Sequence, residues 1–124
     1  MKLTITLPMP PSINSIYANA AKGRCMSPEG RAYKEAAVMA IRGRANLAGF
    51  KVPHGARLRL SLALWWPDNR RTDLDNRVKV LQDAAGLALR LDDCRVDSLR
   101  VDRMPVGDGR HACELTIEIM GATK

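Results

Sequence analysis

Aromatic residues are scarce: two tryptophans, two tyrosines and one phenylalanine among 124 positions. That is too little for the stacked aromatic platform with which proteins usually grip unpaired bases, so single-strand binding of that kind is disfavoured. Cysteine is also thin. Cys25, Cys94 and Cys113 are odd in number, far apart and without a C-x-x-C pair, which fits free thiols in a reducing compartment better than a disulfide framework or a zinc site. The two histidines, His54 and His111, are isolated and read as ordinary surface or loop residues. No apolar run approaches the ~20 residues of a membrane span. The opening Met1–Leu7 alternates in polarity and runs into prolines, unlike a signal peptide. These absences predict a soluble cytoplasmic protein with no membrane partner. Repeats, low-complexity tracts and Ser/Gly linkers are missing too, which predicts one domain over residues 1–124.

What the chain does have is positive charge, +7 overall. A basic chain of this size gains free energy by displacing counterions from a polyanion, so nucleic acid is the first partner to consider. A merely solubilising surface would have the same composition.

The element pattern is regular. Leu3–Leu7 reads as a strand ended by Pro8, and Pro8, Pro10 and Pro11 hold Ser12–Tyr17 out of regular structure. Ser27 followed by Pro28 and Glu29 predicts a helix start. That helix would bury Tyr33, Ala36, Ala37, Ala40, Ile41, Leu47 and Ala48 and end near Gly49. Leu58, Leu60, Leu62 and Leu64 alternate with Arg57, Arg59, Ser61 and Ala63, the period-two mark of a half-buried strand. Leu74, Val78, Leu81, Ala85 and Ala88 recur at helical spacing and predict a second helix ending around Leu89–Asp92. Cys94–Met104 and His111–Met120 read as two further strands, the first alternating imperfectly enough for a bulge. The order strand, helix, strand, helix, strand, strand predicts an α/β (α+β) fold, a mixed sheet packed by two helices.

The acidic residues are few, and some are placed unusually. Asp73-Leu74-Asp75-Asn76 follows the basic connection Asp68–Thr72 directly. If 73–75 are extended, Asp73 and Asp75 project to one side while Leu74 turns to the core. Lys79 lies one helical turn beyond Asp75, and Asp83 one turn beyond Lys79, on the face opposite the apolar stripe. A further pair, Asp92-Asp93, sits where the helix ends. Pairing of the Cys94 strand beside the Leu58–Leu64 strand would set one strand's end next to the other's start and bring this pair to the first. Carboxylates gathered in this way repel one another unless they are protonated, separated by water or bound to a cation. All-oxygen donors favour Mg²⁺ or Mn²⁺ over zinc, and such a cluster in a basic surface suits phosphodiester hydrolysis. The same residues also suit a non-catalytic basic DNA-binding module, with Asp73 or Asp75 capping the helix, Lys79 in an ordinary i,i+4 pair and Asp92-Asp93 as a hydrophilic turn. A basic interaction protein facing an acidic surface is a third reading.

Across nearly the whole chain the motifs resemble the RusA-type Holliday junction resolvases. They are Leu7-Pro8-Met9-Pro10-Pro11-Ser12 followed by Asn14, and Ser27-Pro28-Glu29-Gly30 followed by Ala32-Tyr33. Arg70-Arg71-Thr72-Asp73-Leu74-Asp75-Asn76 with Lys79, Leu91-Asp92-Asp93 and Met104-Pro105-Val106 complete the set. The resemblance implies a homodimeric Mg²⁺-dependent endonuclease, with Mn²⁺ a substitute, that cuts four-way junctions by paired symmetrical nicks during recombination and repair. It implies Asp73, Asp75 and Asp93 as catalytic metal ligands and Lys79 as an essential lysine. Ser12, Asn14 and Ser15, with Asn69, Arg70, Arg71, Thr72 and Asn76, fall in the family's DNA-contacting regions. Thr72 is a departure: the family's basic run can continue to the first aspartate.

Overall fold

The Leu58–Leu64 alternation forms the central strand of the molecule. A computed structural model describes residues 1–11, 17–20, 23–69, 74, 77–91, 95–107 and 109–122, with backbone alone at 17–20, 23–26, 95 and 122. The elements in chain order are β1 (Lys2–Pro8), β2 (Tyr17–Ala20), β3 (Gly23–Met26), α1 (Pro28–Ala48), β4 (Ala56–Trp65), α2 (Val78–Leu89), β5 (Arg95–Arg103) and β6 (Ala112–Ala122).

Four strands make a mixed sheet in the order β1-β6-β4-β5. β6 runs antiparallel to both β1 and β4, and β4 pairs with β5 in parallel. Leu58, Leu60, Leu62 and Leu64 are all buried on one face, with Leu3, Leu7, Cys113, Leu115 and Ile117 beside them. Each such aliphatic side chain contributes roughly 1.5–3 kcal/mol by leaving water. The other face is polar and carries cross-strand pairs, Arg57–Asp97 at 2.5 Å and Arg59–Glu118 at 3.1 Å. Two helices on one face of a mixed sheet is the predicted α+β architecture.

Ser27 caps α1 as its sequence predicts: its Oγ accepts from the Gly30 N–H at 3.1 Å, and Gly49 closes the helix in the left-handed region at φ 65°. Such a cap contributes about 1 kcal/mol. The buried stripe of α1 is Gly30, Ala37, Ile41 and Ala45, with Tyr33 and Ala40 partly covered. Ala36, Leu47 and Ala48, expected in it, are exposed, Leu47 by 85%. Leu47 lies six residues after Ile41, about 240° further round the helix at about 100° per residue, and so turns to solvent.

The second helix buries Val78, Leu81, Ala85 and Ala88 as predicted, with Val80 and Ala84 added. Its first residue is Val78, and Leu74 packs against the core just ahead of it. Arg90 ends the helix at φ 55°, its N–H donating to the Gly86 carbonyl. The bulge falls in β5, where the register steps from Leu58–Val96 to Arg59–Ser98 and leaves Asp97 unmatched.

Two findings depart from expectation. Tyr17, read as irregular, begins a small antiparallel ribbon, with Tyr17 opposite Met26 and Ala20 opposite Gly23. The strand after the acidic turn does pair with β4, but in parallel, Arg57 lying opposite Arg95 and Leu64 opposite Arg103. The start of β5 therefore lies beside the start of β4, and the expected meeting of one strand's end with the other's start does not occur. A strand–helix–strand connection crosses over the sheet and returns to its beginning, which makes the pair parallel.

Candidate active site

The register gathers Pro8, Trp65, Arg103 and Ala112 at one end of the sheet. α1 starts at the same end, where the Tyr33 hydroxyl donates to the Pro8 carbonyl at 2.6 Å. The proline-rich segment after β1 and the basic segment after β4 both leave from here. Arg77 joins them, its Nη1 donating to the Pro10 carbonyl at 2.7 Å. A cavity of about 350 Å³ opens between them, lined by Met9, Pro11, Glu29, Tyr33, Arg77 and His111. His111, read from sequence as a plain loop residue, is an exposed loop residue and also part of this wall.

Of the predicted site residues, Asn69 and Lys79 are described. Asn69 is exposed in the segment after β4, beside Asp68, whose carbonyl accepts from Arg103 Nη2 at 3.1 Å. Lys79 stands in the first turn of α2 with its side chain 58% exposed and its Nζ 3.7 Å from Asp83. Such an exposed i,i+4 pair contributes only ~0.3–0.5 kcal/mol, so Asp83 holds the ammonium weakly. Asp73, Asp75, Asp93, Ser12, Asn14, Ser15, Arg70, Arg71, Thr72 and Asn76, together with Asp92, lie outside the described residues. Arg77 occupies the N-cap position of α2.

The two ends of α2 define what one chain can assemble. Asp73 and Asp75 precede its N-cap. Leu91 and Arg95, which flank Asp93 in sequence, lie beyond its C-terminus, Arg95 opposite Arg57 at the start of β4. The twelve residues of α2 separate these flanks by about 18 Å at 1.5 Å per residue.

Sequence reasoning missed three arginines. Trp66, only 2% exposed, faces Arg103 with Cζ 4.8 Å from the ring centroid and Arg77 at 5.8 Å. Arg110 lies 4.7 Å over Trp65. The signal available was the Trp65-Trp66 pair next to a basic segment, since arginine readily stacks on indole.

Beneath the cavity, Tyr33 and Cys113 form a neutral pair. Burial raises the Tyr33 hydroxyl pKa, helped by the neighbouring Cys113. Burial pushes the Cys113 thiol up to about 11 from its ordinary 9.0, against a smaller opposing pull from the Tyr33 hydroxyl. A folded pKa above the unfolded one stabilises fully below the lower value and is lost as pH rises through the higher one. The urea midpoint is therefore expected to fall between about pH 9 and about pH 11, and Cys113→Ala should flatten part of that fall. An equal fall in the variant would remove the thiol from the account.

A small mixed-sheet α+β domain, strongly basic and with its proline-rich and basic segments leaving from one sheet end, is the class these features define. A family profile described as endodeoxyribonuclease RusA matches residues 8–120. The chain is 40% identical over 118 residues to the crossover junction endodeoxyribonuclease RusA of Enterobacteria phage 82, covering 94% of each chain. It is 39% identical over 119 residues to the crossover junction endodeoxyribonucleases RusA of Escherichia coli K12 and Shigella sonnei, covering 95% of each. The chain belongs to the RusA family of endodeoxyribonucleases. Among the described residues no helix is long and apolar enough to cross a membrane.

Proposed function

We propose that this protein resolves four-way DNA junctions by paired symmetrical nicks in a Mg²⁺-dependent reaction serving recombination and repair. The observation that carries this reading is the near-full-length match to crossover junction endodeoxyribonucleases. The convergence of the proline-rich and basic segments through the Arg77–Pro10 contact supports it.

Asp73, Asp75 and Asp93 would hold the cation, and Mn²⁺ would substitute. Their donor chemistry fits: three carboxylates offer only hard oxygen ligands. A divalent cation held there supplies Lewis-acid stabilisation of charge on the scissile phosphate. Lys79 offsets the same charge from the first turn of α2. Ser12, Asn14 and Ser15 on one segment, and Asn69, Arg70, Arg71, Thr72 and Asn76 on the other, hold the DNA backbone. The overall +7 charge draws the junction in.

The length of α2 bears on assembly. Carboxylates sharing a cation must approach within a few ångströms, and within one chain the flanks of Asp75 and Asp93 stand a helix length apart. A site using all three takes Asp93 from a second copy. A C₂ dimer supplies two such sites, one for each of two opposing junction strands.

The direct test incubates purified protein with a synthetic four-way junction and a matched linear duplex, in Mg²⁺ or in chelator. Symmetrical nicks on the junction alone, and only with metal, are expected. Equal cutting of the duplex, cutting in chelator, or junction binding without any cutting would overturn the reading.

A further inference from the structure

Trp66 is buried in the core, yet two guanidinium groups lie against its ring, that of Arg103 at 4.8 Å and that of Arg77 at 5.8 Å. Each of these arginines then fastens a loop. Arg77 Nη1 donates to the Pro10 carbonyl at 2.7 Å, and Arg103 Nη2 donates to the Asp68 carbonyl at 3.1 Å. Backbone bonds close the same region: the Arg77 N–H reaches the Leu74 carbonyl at 3.2 Å and the Met104 N–H the Leu64 carbonyl at 2.8 Å. The Nε of Arg77 is shut off from solvent.

In chain order these contacts bracket residues 70–76. Trp66 and Asp68 stand upstream and Arg77 downstream, and Pro10 ties in the segment that precedes Ser12. Stability alone does not call for this construction. Drawing charged groups over a buried ring is on balance often no better than packing apolar side chains of the same volume. A planar guanidinium offers something else: it stacks on indole and donates in fixed directions at once, which lysine cannot do.

We propose that the Arg77–Trp66–Arg103 stack is a positioning device, with Arg77 as the positioning residue that ties the start of α2, the downstream anchor of the segment carrying Asp73 and Asp75, to the Pro8–Pro11 loop. This rests on the metal-dependent nuclease reading above. Groups that orient metal ligands typically alter affinity or activity by about ten- to a hundredfold when removed.

The test compares the full-length wild type with Arg77→Met, Arg77→Lys, Trp66→Leu and Trp66→Phe. Calorimetry reads Mn²⁺ binding without DNA, and amide exchange reads Arg77 against the Leu3–Leu7 ladder. Arg77→Met, Arg77→Lys and Trp66→Leu are expected to weaken Mn²⁺ binding by about tenfold or more. They should speed exchange at Arg77 and leave the β1–β6 ladder slow, while Trp66→Phe, which keeps a ring face, stays near wild type. Unchanged Mn²⁺ affinity in Arg77→Met, with a wild type that binds metal and nicks junctions, would overturn the stack and leave the nuclease reading standing. Exchange accelerated equally in the ladder would show a purely structural role and overturn it as well. A wild type that neither binds Mn²⁺ nor nicks would remove the metal reading, and with it the positioning of metal ligands.

Discussion

Replacing Asp75 by asparagine is expected to reduce junction nicking by on the order of a thousandfold or more while leaving junction binding intact, since several kcal/mol of metal-ion stabilisation is at stake and each 1.36 kcal/mol is tenfold in rate. Asparagine keeps the shape of the side chain and removes the charge that makes it a strong ligand for a hard divalent cation. The fold has little stake in the change. Arg77 stands at the N-cap of α2, and the buried residues of the helix, from Val78 on, lie downstream. Removing one negative charge also leaves phosphate affinity undiminished in a basic chain. Denaturing gels read the nicks, native gels the bound junction and a thermal melt the fold. An Asp75→Asn protein that cuts at the wild-type rate would take this carboxylate out of the mechanism.

Much of the fold is legible from local pattern, because the pattern and the core agree. Leu58 to Leu64 alternate in sequence and all four leucines are buried. Ser27-Pro28 predicts a helix start, and Ser27 caps it at 3.1 Å. The errors have local physical causes too. The β2–β3 ribbon is made of Tyr-Ala-Asn-Ala and Gly-Arg-Cys-Met, short stretches without an alternating apolar face, whose pairing rests on backbone hydrogen bonds that side-chain pattern does not report. Leu47 looks like core by composition, but its angular position on α1 turns it to solvent.

The candidate site divides in the same way. Its residue types, all-oxygen acids beside a basic segment, are readable because they are properties of the side chains alone. Its assembly is a property of the fold. The Arg77–Pro10 bond joins residues 67 apart in sequence, and no local spacing announces it. The direction of β5 has a sequence signature in the strand–helix–strand order, and that direction sets the residues flanking Asp93 and those flanking Asp73 and Asp75 at opposite ends of α2.

That separation makes a mixing experiment decisive. Asp75→Asn and Asp93→Asn are each expected to be inactive alone, since every site then lacks a ligand. When the two are unfolded together and refolded as a mixture, random pairing in a C₂ dimer makes about half of the dimers mixed. If Asp93 acts across the interface, one site of each mixed dimer takes Asp73 and Asp75 from the Asp93→Asn chain and Asp93 from its partner, and is whole. Its twin carries both substitutions. About a quarter of all sites are then restored, and nicking returns from the background of either parent. Its products should be singly nicked junctions, because a dimer with one working site cannot cut the opposing strand in concert. If the three carboxylates met within one chain, each site of a mixed dimer would still lack one of them, and the mixture would stay as inactive as its parents.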